Sequence, residues 1–237
     1  MAVDLAAAWS SVVGREAAGE DCWARLIRRW SEPHRRYHGM GHLTAVLLFV
    51  DEYATHADDP DAVRLAAWYH DAIYDPRAAD NEENSAVLAE SELAAIGQPR
   101  DRIDEVARLV RLTAGHDPAD GDRNGELLND ADLLVLASPR EAYVAYVNAI
   151  REEYAHLSDA DFRAGREALL QALLALPRLY RLDPLAQLED AARRNITAEL
   201  SLRRSHPARK AGEAERGGDR RGGADLTGAE PPEAPAR

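Results

Sequence analysis

The sequence predicts an all-α protein. Apolar residues recur at intervals of three and four, strand-like alternation is missing, and glycine and proline separate most of the periodic stretches. Leu43, Val46, Leu47 and Val50 mark one amphipathic face, and Ile103, Val106, Val110 and Thr113 mark another. Further amphipathic stretches cover 5–13, 20–30, 61–71, 82–96, 130–136, 140–154, 161–176 and 185–202. Three helix starts carry their own signals: Asp59 before Pro60, Ser138 before Pro139 with Glu141 completing a capping box, and Asp183 before Pro184. The expected product is a bundle-like helical domain over residues 1–204, in which polar side chains directed inward stand out.

Composition narrows the function. A chain of 237 residues with 46% hydrophobic content can bury one substantial core. Beyond about residue 205, glycine, proline, alanine and both charge signs displace large apolar residues, so 205–237 is expected to be a disordered tail. No apolar run reaches the roughly 18 residues of a membrane span, and the start MAVDLAAAWS lacks the basic and apolar regions of a signal peptide. A cytoplasmic protein without membrane association is expected. The single cysteine, Cys22, excludes an internal disulfide, a four-cysteine zinc site and a CxxC redox pair, so any metal must rely mainly on nitrogen and oxygen ligands. A net charge of -13 opposes binding to a nucleic-acid polymer, while leaving room for a small anion where arginines converge. The only lysine is Lys210 in the tail, which argues against Schiff-base chemistry and against a GxxxxGK[ST] phosphate loop.

Three clusters can carry chemistry. EPHRRYHGMGHL (32–43) places His34, His38 and His42 at intervals of four. Pro33, Gly39 and Gly41 oppose one continuous helix, so His42 is assigned to the first turn of the following helix and His34 and His38 to the loop before it. AAWYHDAIYD (66–75) closes an apolar helix with the adjacent pair His70 and Asp71; such neighbours point about 100° apart and share an ion only if it sits close to the helix surface. LLNDADLLVLA (127–137) sets Asp130 and Asp132 in an otherwise apolar run, where an ionised carboxylate is costly unless paired or metal-bound. Each cluster alone also has an ordinary reading: a hydrogen-bonded histidine, or a capping aspartate.

The order His, then His-Asp, then Asp on separate helices resembles the HD superfamily of metal-dependent phosphohydrolases. In particular, it resembles the branch of predicted phosphohydrolases with a PHRxYH segment upstream of the His-Asp pair. The likeness extends over PHRRYHGMGHL, AAWYHDAIYD, DNEENSA (80–86), DADLLVLA (130–137), REEYAHL (151–157) and FRAGR (162–166), most of the chain before the tail. It implies an HD-domain-like helical bundle and a divalent-metal site of His42, His70, Asp71 and Asp132, with His38 and Asp130 as the neighbouring alternatives for the first and last ligands. His116, in LTAGHDP, is either a histidine near the site entrance that meets substrate or a ligand of a second ion, as in binuclear HD enzymes. Asp75 stands where related hydrolases carry an acidic residue, and Asp75 and Glu83 are candidates to orient water or manage a proton; Asp80 and Glu83 also read as a capping box. Arg35, between His34 and His38, is the leading phosphate-binding candidate together with His38, ahead of Arg111 and Arg151.

The activity implied is hydrolysis of a small phosphate ester or nucleotide by a metal-activated water. Mixed histidine and carboxylate ligation suits Mn, Fe, Co, Ni or Zn, with Mg less natural. A metal- or nucleotide-binding regulatory module and an HD-fold di-iron oxygenase are the alternatives.

Overall fold

Residues 4–205 are described by the computed structural model, and the tail expected to be disordered lies, beyond Ser205, outside the described residues. Regular structure among them is entirely helical. The α-helices are α1 (Leu5–Val13), α2 (Ala17–Trp30), α3 (Met40–Glu52), α4 (Pro60–Tyr69), α5 (Asn81–Ala95), α6 (Arg100–Leu112), α7 (Arg123–Leu133), α8 (Arg140–Glu153), α9 (Asp159–Ala175) and α10 (Glu189–Ser205). Short 3-10 helices occupy Ala54–His56, Leu134–Ala137 and Asp183–Leu188. None of these helices is long and apolar enough to cross a membrane.

The centre of the fold is α4. Asp59 caps it, accepting from the Ala62 backbone N–H at 3.1 Å, and Pro60 sits where a missing N–H costs nothing. Its residues Val63, Leu65, Ala66, Ala67, Trp68 and Tyr69 are all buried, as expected of a helix enclosed on every side. It packs on α3, α5, α6 and α7. Burial of each large apolar side chain here stabilises the fold by about 1.5–3 kcal/mol. Trp30 Nε1 donates to the Trp68 carbonyl at 2.9 Å, joining α2 to α4 and satisfying a buried donor. α10 packs against α9 and the Leu134–Ala137 turn.

Three boundaries differ from the sequence expectation. α7 begins at Arg123, not near Asp130, because Asp122 caps it through the Gly125 N–H at 3.0 Å. Gly125 reads as a helix breaker in sequence but serves close packing. A Cβ there would collide with the Asp122 carboxylate and approach Leu112 Cδ2 to 2.8 Å. Ser138 does not cap α8, whose N-cap is Pro139 with no side-chain hydrogen bond. The stretch after Pro184 starts as the 3-10 helix and becomes α-helical only at Glu189, whose carboxylate accepts from the Leu179 and Tyr180 N–H groups.

Candidate metal centre and its pocket

His42 lies in the first turn of α3, His70 caps the C-terminus of α4, and Asp132 is in the last turn of α7. Packing of these helices around α4 brings their ligand atoms within 4.8 Å of one another. His42 Nε2 is 3.1 Å from both His70 Nε2 and Asp132 Oδ1, and His70 Nε2 is 3.7 Å from Asp132 Oδ1. Asp71 joins from the turn after α4, with Oδ2 3.4 Å from His70 Nε2 and 3.9 Å from His42 Nε2.

These residues fit a divalent cation. With ligand distances of about 2.1 Å, donor atoms on a common ion are separated by about 3.0 Å along an octahedral edge and about 3.4 Å along a tetrahedral one. His70 Nδ1 lies 2.9 Å from the Ala67 carbonyl, an acceptor, so Nδ1 carries the proton and the Nε2 lone pair faces His42 and Asp132. Burial lowers the pKa of the His42 imidazole. Burial would raise the Asp132 carboxyl, but the His70 and His42 imidazoles hold it well below the usual carboxylate range. Metal ligation calls on imidazole nitrogens that carry no proton and on an ionised carboxylate. The Trp30 ring, centred 5.4 Å from that of His70 and 6.4 Å from that of His42, supplies an apolar wall.

Geometry also separates the neighbouring alternatives. Asp130 is fully buried, but its oxygens accept from the Arg181 N–H at 2.9 Å and the Leu182 N–H at 2.8 Å. Burial pushes its carboxyl up to about 6 despite those bonds. It anchors the chain before the Asp183–Leu188 turn and is not part of the metal cluster. His38 Nδ1 is 2.7 Å from Glu153 Oε2, so one ring nitrogen is committed to that carboxylate while the ring lines the pocket beside Asp71. Burial alone would lower the His38 pKa, but the Asp71 and Glu153 carboxylates hold it above the ordinary histidine value.

Glu153 organises this side of the site, and nothing in the sequence marks it beyond its place in REEYAHL. Its Oε1 accepts from the backbone N–H groups of Arg36, Tyr37 and His38 at 2.7, 2.8 and 2.9 Å. Its Oε2 accepts from Tyr74 Oη at 2.8 Å as well as meeting His38. A buried carboxylate of α8 thereby fixes the loop that leads into α3.

Arg35 does not face the pocket. Its side chain is 1% exposed and lies between the Trp30 and Tyr74 rings, 5.4 and 5.3 Å from their centres. Nη1 donates to the carbonyls of His38 at 2.9 Å and Asp71 at 2.8 Å, and Nη2 to that of Ala72 at 3.2 Å. The arginine read as a phosphate grip is therefore a strut holding the Asp71 backbone to the 35–38 loop. Arg35→Ala strands these carbonyls and empties an aromatic slot, so a loss of about 2–4 kcal/mol is expected in chemical denaturation.

Asp75 and Glu83 are also placed away from the cluster. Asp75 is exposed, accepts from the Arg77 N–H at 2.9 Å and borders a separate cleft with His34 and Arg29. Glu83 turns outward and pairs bidentately with Arg111 at 2.7 Å; Asp80 is the α5 N-cap but makes no side-chain capping bond. Helical rotation instead sets the preceding residue, Glu82, on the pocket wall. Arg151, the other arginine considered, bonds the carbonyl of Tyr154 and the Asp159 carboxylate. His116 does reach the site: its backbone has φ 52°, its Nε2 is 3.9 Å from Asp132 Oδ2, and its Nδ1 is buried without a hydrogen-bond partner.

The cluster borders a cleft of about 460 Å³, lined by His38, Asp71, His116 and Asp132 together with a wall from α8 and α9. Tyr37, Tyr146 and Arg166 also line it, and sequence reading passed over all three as pocket residues. For Tyr37 and Arg166 the signal was their place inside the PHRRYH and FRAGR segments; Tyr146 has no comparable sequence cue. No family model, curated protein or solved structure matches the chain, and what the site can do follows from its own geometry.

Proposed function

We propose that the protein is a metal-dependent hydrolase of a small phosphate ester. The observation that carries this reading is the convergence of His42, His70 and Asp132, with Asp71 beside them, on the border of a cleft large enough for a small organic substrate. The order of these residues along the chain, with its resemblance to the HD superfamily, supports the same chemistry.

His42, His70, Asp71 and Asp132 would hold a divalent ion of the Mn, Fe, Co, Ni, Zn or Mg group. When bound, such an ion polarises a phosphoryl oxygen and lowers the pKa of coordinated water towards about 7. Around it, His38 has Nδ1 committed to Glu153, which leaves Nε2 to meet a phosphoryl or leaving-group oxygen. Its protonated form persists to higher pH than that of a free histidine, which suits it to supply positive charge or a proton. His116 faces Asp132 from the loop after α6 and is a second group able to contact a bound anion. Glu82 is the acidic side chain on the wall that can orient a water molecule.

The test is a phosphate-release screen of the purified protein across simple phosphoesters and nucleotides with Mn, Co, Ni, Mg and Zn. Release that requires added metal and stops with a chelator is expected. Metal uptake without release from any compound would favour a binding or regulatory module.

A further inference from the structure

We infer that the cleft selects a phosphate monoester with an apolar organic group, alkyl or aryl, seated against α8 and α9 beside the metal cluster. The inference rests on the hydrolytic reading above and names its substrate class. Its first support is the division of chemistry across the cleft. The α3, α4 and α7 side brings His42, His70, Asp71 and Asp132 together, whereas the α8–α9 side presents Ile150, Leu157, Phe162, Leu169 and Leu173. Leu136 adds to this apolar part of the lining, which Tyr146, Tyr154 and Arg166 share.

Charge supplies the second support. Among the described residues lining the cleft, Asp71, Glu82 and Asp132 are acidic and Arg166 is the only arginine or lysine. The Arg166 guanidinium is already held by Glu199, with Nε at 3.0 Å and Nη2 at 3.2 Å, while Nη1 donates to Tyr146 Oη at 3.0 Å. A di- or triphosphate would place additional anionic groups beside Asp71, Glu82 and Asp132, and with His38 and His116 engaged by the first phosphoryl group, the guanidinium there is already held by Glu199. A single phosphoryl group at the cluster avoids that cost. Polar polyol groups fare less well than alkyl or aryl groups for a different reason: Ile150, Leu157, Phe162, Leu169 and Leu173 offer no hydrogen bond to replace their water, although Tyr146 and Tyr154 border the same wall.

The reaction balances without any further reactant. Water adds its oxygen to phosphorus, the ester P–O bond breaks, and a proton passes to the leaving oxygen, giving inorganic phosphate and an apolar alcohol or phenol.

The test compares primary alkyl phosphates, ethyl, butyl, hexyl and cyclohexylmethyl, with glycerol 3-phosphate and a nucleoside triphosphate, using the full chain loaded with Mn. Primary alkyl esters keep intrinsic leaving-group reactivity similar. kcat/KM is expected to rise by up to about fourfold per buried methylene, with glycerol 3-phosphate and the triphosphate poor substrates. In parallel, calorimetry of the matching alkylphosphonates should show affinity rising with chain length. Leu169→Gln, at a half-exposed lining position, should flatten both dependences while leaving inhibition by inorganic phosphate unchanged. Hydrolysis that is flat with chain length, or that favours glycerol 3-phosphate or the triphosphate, overturns the inference and leaves the hydrolytic reading intact. If no ester is hydrolysed, the hydrolytic reading fails, and phosphonate binding alone decides: rising affinity supports the apolar subsite and a flat series overturns it.

Discussion

Replacing His70 with alanine is expected to weaken divalent-metal binding by at least about 100-fold and to reduce metal-dependent phosphate release to background. Groups that merely orient a ligand change affinity by about 10–100-fold, so removal of a ligand itself should reach or exceed that range. His70 is 1% exposed, its Nδ1–H is directed at Ala67 O, and its Nε2 lies within 3.7 Å of His42, Asp71 and Asp132 atoms. Because alanine also leaves a cavity, His70→Gln provides a control that preserves more volume. Both variants should retain helical circular dichroism while losing metal, measured by calorimetric titration. Metal affinity and turnover equal to wild type in a folded His70→Ala protein would remove this residue from the centre.

Glu153→Gln is expected to cost about 3 kcal/mol of stability at pH 7, with the gap from wild type closing on acidification towards pH 3. Burial raises the pKa of this carboxyl, but the His38 imidazole, the backbone N–H groups and Tyr74 together bring it down to about 2 from an ordinary value of 4.5. A native pKa below the unfolded one means that the ionised carboxylate contributes its full stabilisation above about pH 5. That contribution is lost as pH falls through 4.5 towards 2. At about 1.4 kcal/mol per pKa unit, the depression corresponds to about 3 kcal/mol, and the side chain is 0% exposed, so solvent screening does not dilute it. Urea titrations of both proteins at pH 7 and pH 3 check this. A stability gap of equal size at both values would show that Glu153 does not act through its charge.

Helices and ligands were legible in the sequence to different degrees. The buried faces of α3 and α6 appear as plain three- and four-residue periodicity, because each packs an apolar stripe on its neighbours, whereas α4, enclosed by other helices, reads as a nearly unbroken apolar run. The start of α7 was hidden by Gly125, since a close approach to Asp122 and Leu112 is invisible until the chain is folded. The cluster of His42, His70 and Asp132 was implied in the sequence through the family resemblance that their order carries, with Asp71 beside them. Choosing Asp132 over Asp130 required knowing which carboxylate meets the Arg181 and Leu182 backbone, and that contact spans more than fifty residues. Glu153 was missed for the same reason: its partners at Arg36, Tyr37 and His38 lie more than a hundred residues away. Arg35 misled because an arginine between histidines offers the right chemistry for phosphate, while its burial against Trp30 and Tyr74 is a tertiary fact.

The position of a bound divalent ion is decisive, and anomalous diffraction from crystals soaked in Mn reports it most directly. The expected result is a peak in contact with His42 Nε2, His70 Nε2 and an Asp132 carboxylate oxygen, with Asp71 adjacent. A metal-dependent, active protein whose anomalous peak lies elsewhere, or whose His42, His70 and Asp132 side chains make no contact with it, would contradict the assignment.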